Sequence, residues 1–289
     1  MSQLIKAIRE CNVSEVEKLL RRKEGDIEQR DKDSNFTPLH LAIECNSPQI
    51  VRLLLEAGAN PNASLSFNLK YTGGAVSKDN DDYESKFSKA ASPLHFAVDR
   101  GSKELVRLLA QAKCNVNAQN SYGYTALHLA VDRDLQDEDT IMVATLLDAG
   151  ADTNIKSKEV RTPTPLLRAI ANGQSSVVKC LIKAKADVNA RTTNWNGTAL
   201  MIASAKDNIE IVSSLLNAGA DVNAQSNNRC TALIFAVSNN AGEELIKLLL
   251  NAGADPNLKS NIGESPLSEA RKNRLAKIEN ILRQAGATT

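Results

Sequence analysis

The stretch that decides the fold is Thr231-Ala232-Leu233-Ile234-Phe235-Ala236, followed by Gly253-Ala254-Asp255-Pro256-Asn257. A threonine hydroxyl can cap a helix start, and a small or proline residue suits the first turn. Leu233 and Ala236 are three apart and share one helix face. Gly253 ends the next helix by entering the left-handed region cheaply. The Asp/Asn-rich residues after it form a turn. One helix, a second helix and a turn are therefore written into this stretch.

The same pattern recurs outward in both directions. Its starts are Thr37, Ser92, Thr125, Thr164, Thr198, Thr231 and Ser265, separated by 55, 33, 39, 34, 33 and 34 residues. The base period is thus about 33 residues, with two insertions. The glycine-turn motif recurs as Gly58-Ala59-Asn60-Pro61-Asn62, Lys113-Cys114-Asn115-Val116-Asn117, Gly150-Ala151-Asp152-Thr153-Asn154, Lys185-Ala186-Asp187-Val188-Asn189 and Gly219-Ala220-Asp221-Val222-Asn223. Between the motifs, Val51, Leu54 and Leu55 and the later set Val212, Leu215 and Leu216 have helical spacing.

Composition agrees with a repeat array. Of 289 residues, 42% are hydrophobic but only 3% aromatic, so the core is built from Leu, Ile, Val and Ala. A single-core protein of this length would divide into two domains, whereas a solenoid grows by stacking. Lys and Arg number 35 against 34 Asp and Glu, giving a net charge of +1. That balance argues against general nucleic-acid binding. Cys11, Cys45, Cys114, Cys180 and Cys230 are scattered and form no C-x-x-C, which suggests neither a zinc site nor a disulfide framework. There is no signal-like apolar segment near Met1 and no stretch long enough for a membrane span. The expectation is a cytoplasmic or nuclear protein, monomeric alone, with no membrane insertion.

The T-P-L-H-x-A element at Thr37–Ala42, its counterparts, and the G-A-D-x-N element resemble the signature of the ankyrin-repeat family over nearly the whole chain. The resemblance implies an all-α solenoid of stacked helix–turn–helix pairs with projecting β-turn fingers. It implies about eight units in one array: an N-terminal capping repeat at 1–33, a second repeat at 34–63, a finger insertion at 64–90, further repeats over 91–257 and a C-terminal capping repeat at 258–289. It also implies a concave groove, lined by fingers and first helices, that binds a protein or peptide.

The three histidines, His40, His95 and His128, share one repeat position. In the family this position ties the helix start to neighbouring turn backbone, so these imidazoles are expected to be structural. No phosphate-binding glycine loop is present. An enzyme, a cofactor and a metal are therefore not expected.

The family's geometry places Tyr122, Arg161 and Trp195 near fingertips, with Tyr124 just before a helix. Asp99, Arg100, Asp132, Arg133, Lys206 and Asn239 fall at the ends of first helices. Trp, Tyr and Arg are common hot-spot residues. The repeated Val98-Asp99-Arg100 and Val131-Asp132-Arg133 suggest either a ladder of charges across a groove or an exposed ion-pair network. Tyr71 and Tyr83 lie in the first insertion, where Phe67 and Phe87 complete four of ten aromatics. Those aromatics suggest partial order and a place on the binding face. The acidic run Asp134 to Asp139 is expected to lengthen a turn between two helices. The basic final helix is expected to be a solvated cap.

A scaffold, adaptor or inhibitor is the expected function. The alternative is an effector of an intracellular microbe that captures a host protein with the same groove. Asn189 and Asn223 also resemble asparagines that hydroxylases modify in ankyrin proteins.

Overall fold

The computed structural model describes residues 2–65, 92–132 and 140–288. The expectations placed on Tyr71, Tyr83, Arg133 and residues 134–139 lie outside these residues, as does nearly all of the 64–90 insertion. Among the described residues the chain is helical, and its one β-type pairing is an isolated antiparallel bridge between Arg191 and Thr198.

Sixteen helices are described, alternating between seven and nine residues. They are α1 Gln3–Arg9, α2 Val13–Arg21, α3 Pro38–Glu44, α4 Pro48–Glu56, α5 Pro93–Asp99, α6 Lys103–Gln111, α7 Ala126–Asp132 and α8 Thr140–Asp148. Then come α9 Pro165–Ala171, α10 Ser175–Lys183, α11 Ala199–Ala205, α12 Ile209–Asn217, α13 Ala232–Ser238, α14 Glu243–Asn251, α15 Pro266–Lys272 and α16 Ala276–Gln284.

The described residues form two compact units, one within 1–132 and 141–152 and one within 153–289. In the first unit, the short helices α1, α3, α5 and α7 pack in sequence, and α2, α4 and α6 do the same. In the second unit, α9, α11, α13 and α15 form one row and α10, α12, α14 and α16 the other. Each unit is a stack of helix pairs.

Local chemistry sets each helix. Thr164, Thr198 and Thr231 accept the N–H of the residue three ahead at 3.3 Å. Second helices end as their motif demands: Gly219, at φ 88°, donates to Leu216 O, and Ala220 to Leu215 O, both at 3.0 Å. Lys113 and Lys185 hold the same position at φ 58° and 67°, a conformation that costs a non-glycine residue more.

Packing explains the periodic leucine and alanine. Leu39, Leu94, Leu127, Leu166, Leu200, Leu233 and Leu267 are all buried, each contributing roughly 1.5–3 kcal/mol. Ala42, Ala97, Ala130, Ala169, Ala203, Ala236 and Ala270 have no exposed surface. Only a small residue lets neighbouring short helices approach there.

The last pair is the polar one. Arg271 and Arg283 both pair with Glu279, and Lys277 pairs with Glu243. Lys272 pairs with Glu264 and Glu269. Most of the basic charge at this end is therefore matched within the unit.

Candidate functional site

The connections between helix pairs are the candidate site, because they carry most of the side chains that the core does not use. Each turn is built around a buried polar residue. Asp31 Oδ2 accepts from Ser34 N–H at 2.9 Å and from Arg9 at 2.7 Å. Asn120 Oδ1 accepts from the N–H groups of Tyr122 and Tyr124, both at 3.0 Å. Thr192 Oγ1 accepts from Gly197 N–H at 3.0 Å. Burial pushes the Asp31 carboxyl up, but the Ser34 bonds and the Arg9 charge outweigh it, and the net direction is down.

One register position ties turn to turn. Arg30 donates to Asn35 O in its own turn at 3.1 Å and to Ser64 O of the next at 2.9 Å. Arg191 does the same with Asn196 O at 2.9 Å and Gln225 O at 3.0 Å. Gln119 and Gln225, at the same position, each donate to a carbonyl of their own turn, Gly123 O at 2.8 Å and Arg229 O at 3.0 Å. In the second unit the tips are joined by backbone: Thr193 N–H to Val160 O, Asn227 N–H to Trp195 O and Asn261 N–H to Asn228 O, at 2.9–3.0 Å.

Asparagines link the bases of the turns. Asn189 Oδ1 accepts from Asp221 N–H at 2.9 Å. Asn223 accepts from Asp255 N–H at 2.8 Å and donates to Gly253 O at 2.9 Å. Both side chains are therefore links between neighbouring repeats, and both residues are exposed.

The histidines are structural in their geometry. His95 Nδ1 accepts from Ser92 N–H at 3.2 Å and lies 2.9 Å from Ser92 Oγ. Its Nε2–H donates to Tyr124 O of the following turn at 3.0 Å. His128 Nδ1 likewise accepts from Thr125 N–H at 3.2 Å. Burial pushes the His95 pKa down, against the opposing pull of the Tyr124 carbonyl.

The aromatic candidates divide. Trp195 is half-buried, with its ring 5.1 Å from Phe235 at 56°. It lies directly over Gly197, where a Cβ would fall inside the indole. Tyr122 is half-buried and stacks on Tyr124 at 6.3 Å. Tyr124 itself is only 4% exposed, which corrects its assignment as a contact residue. Asn120 folds the turn back over it, and the Tyr124 ring lies against Tyr122 and, at 5.7 Å, against His128.

The charged candidates divide too. Arg100 reaches Glu44 of the preceding pair at 3.6 Å. This half-exposed pair is worth at most about 1 kcal/mol. Asp99 and Asp132 are half-buried at the ends of their helices. Asn239 donates to Phe235 O at 2.8 Å, spending its amide on its own helix. Arg161 and Lys206 are exposed. Three exposed turn residues lie outside the sequence expectations: Val160, at 51%, Arg229, and Lys259 at the register of Arg30 and Arg191. A β-branched residue inside a polar turn was the available signal for Val160.

All five thiols are free. Burial first, then the neighbouring Cys11 thiol, pushes Cys45 up to about 12, and burial pushes Cys114 up to about 11. Raised thiols hold less thiolate, the reactive form. Iodoacetamide at mildly alkaline pH is therefore expected to label exposed Cys11 at least ~10-fold faster than Cys45 or Cys114. Mass spectrometry of quenched samples checks this, and equal labelling in the folded protein would contradict it. Among the described residues no group of three or more His, Cys, Asp or Glu could hold a metal ion, and no helix is long and apolar enough to cross a membrane.

Short capped helices in pairs, small alanines between them and linked turns define a helical-repeat protein with exposed turn edges. The family model described as "Ankyrin repeats (3 copies)" matches residues 1–64, 73–157, 136–226 and 166–260. The chain belongs to the ankyrin-repeat family. It is 30% identical over 162 residues to the B-cell lymphoma 3 protein homolog of Mus musculus, covering 54% of this chain and 30% of that protein. It is 38% identical over 111 residues to the putative ankyrin repeat protein FPV031 of Fowlpox virus (strain NVSL), covering 38% of this chain and 31% of the relative. The chain thus spans less than a third of these curated relatives. The crystal structure of the ankyrin repeat domain of Bcl-3, described as a member of the IkappaB protein family, superimposes with a TM-score of 0.68 at 27% identity. That match covers 86% of this chain and 98% of the other.

Proposed function

We propose that this chain is a protein-interaction module, without catalysis of its own, that holds a partner protein or peptide along its turn edges and first helices. The observation that carries the reading is the row of linked turns, which holds Trp195, Val160, Arg161 and Arg229 at the surface on a hydrogen-bonded frame. A preorganised edge loses little freedom on binding. The Bcl-3 ankyrin domain, a member of the IkappaB family by its description, supports a role as adaptor or inhibitor. The balanced net charge favours a protein partner over nucleic acid. Enzymatic chemistry has no support in the histidines, whose nitrogens serve the frame at His95 and His128.

Photo-crosslinking tests the reading. A benzophenone side chain at Asn228 or Lys206 is expected to capture partner proteins in cells. The same group at Lys179, on a second helix, is expected to capture few or none. Equal or stronger capture from Lys179 would place the partner elsewhere.

A further inference from the structure

The turns of the second unit differ in charge from those of the first. Residues 154–163, 189–197, 223–230 and 257–264 carry six cationic side chains and two carboxylates. In the first unit, residues 28–36 carry two cations and three carboxylates, and residues 117–124 carry no charge. The turns of the second unit thus carry a positive excess that the counted turns of the first lack.

Both carboxylates on those turns are already engaged. Glu159 accepts from the N–H groups of Val160 and Arg161 at 3.0 and 3.3 Å. Glu264 holds Lys272 at 3.0 Å, an interaction that pulls its pKa down. Arg191 is committed to Asn196 O and Gln225 O. By contrast Arg161, Arg229 and Lys259 are exposed and have no ion-pair partner among the described residues. At the end of α11, Lys206 is also exposed and unpaired in the same sense, while the adjacent Asp207 is spent on Gly242 N–H at 3.1 Å.

The same turns also carry apolar surface. Val160 is 51% exposed and Ile262 74%, and half-buried Trp195 occupies a tip between them in sequence. Backbone bonds between successive tips hold this row in place. A fixed row of unpaired cations with apolar side chains among them complements a chain of carboxylates interleaved with apolar side chains. A polynucleotide fits less well, because the most exposed apolar tips, Val160 and Ile262, are aliphatic and do not stack on bases, and the whole chain carries only +1.

We propose that the turns within residues 154–264 bind an acidic, apolar-bearing peptide segment of the partner. This rests on the reading of the turn edges as the binding surface, and it names the chemistry of the occupant.

The test uses the full chain and short fluorescent peptides. One alternates Glu with Leu and Phe, and its counterparts carry Gln or Lys in place of Glu. A single-stranded oligonucleotide is the fourth probe. Anisotropy is expected to show the Glu peptide binding at least about tenfold more tightly than the Gln peptide, with the advantage shrinking as salt rises. The triple variant Arg161→Glu, Arg229→Glu and Lys259→Glu should lose that advantage while its circular dichroism and melting stay those of the parent. Equal binding of the Gln or Lys peptide, absence of binding by the Glu peptide, tighter binding of the oligonucleotide, or an unaffected triple variant would each overturn the proposal. None of those results touches the crosslinking contrast between Asn228 and Lys179, which alone decides the broader reading.

Discussion

Replacing Trp195 by alanine is expected to weaken partner binding about 30-fold, or about 2 kcal/mol, the scale of a central tryptophan anchor. The indole is positioned from two sides. Phe235 lies against it at 5.1 Å, and Gly197 leaves the space beneath it. Gly197 is not among the glycines at positive φ, so alanine there acts by volume alone. Gly197→Ala is therefore expected to displace the indole, at an overpacking cost of about 1–2 kcal/mol. Because the chain has one tryptophan, its emission reports the displacement directly. A red shift and easier quenching by acrylamide should accompany a binding loss similar to that of Trp195→Ala. If emission stays unchanged in Gly197→Ala, the placement of the indole over Gly197 is wrong. If emission moves but binding does not, Trp195 packs the turns together and contacts no partner.

The helix pairs were legible because each repeat reuses one solution to one packing problem. Leucine fills the interior, alanine permits the close approach and a cap opens the helix, so seven copies read alike. The turns were less legible, because their side chains choose among several backbone partners. Arg161 and Arg191 illustrate this. Both are arginines on adjacent turns, yet Arg191 is committed to two carbonyls while Arg161 is open to solvent. Register separates them: Arg30 occupies the position of Arg191 and makes the corresponding bonds. Tyr124 misled for a similar reason. It sits beside a cap, where a surface ring was expected, but Asn120 closes the turn over it. For Arg100 the sequence allows a ladder of charges across a groove or an exposed ion-pair network, and the structure pairs it with Glu44 of the preceding pair. Sequence shows the charges on a helix end but not the direction in which a long side chain turns.

His95→Ala is expected to cost about 2–4 kcal/mol, because it opens a cavity, leaves Ser92 N–H unsatisfied in the interior and takes from Tyr124 O one of its two donors, the other being Asn120 N–H. His95→Met should cost less. Methionine stands at the equivalent position 201, where its sulfur accepts Thr198 N–H at 3.4 Å and so replaces half of the imidazole's work. The two variants also separate the histidine's geometry from its titration. Burial holds His95 below its ordinary pKa, so the folded protein keeps it neutral where the unfolded chain takes up a proton. Its contribution is then fully present above about pH 6.5 and is lost as pH falls from there toward the folded value. The slope has an upper limit of about 1.4 kcal/mol per pH unit for one proton. Urea unfolding between pH 5 and 8, roughly spanning the ordinary histidine pKa, is expected to show this loss in the parent. The slope should be shallower in His95→Met. An identical slope in the two proteins would mean that the buried imidazole accepts its proton without disturbing the bond to Tyr124, and that the link between the first unit's turns does not depend on a neutral ring.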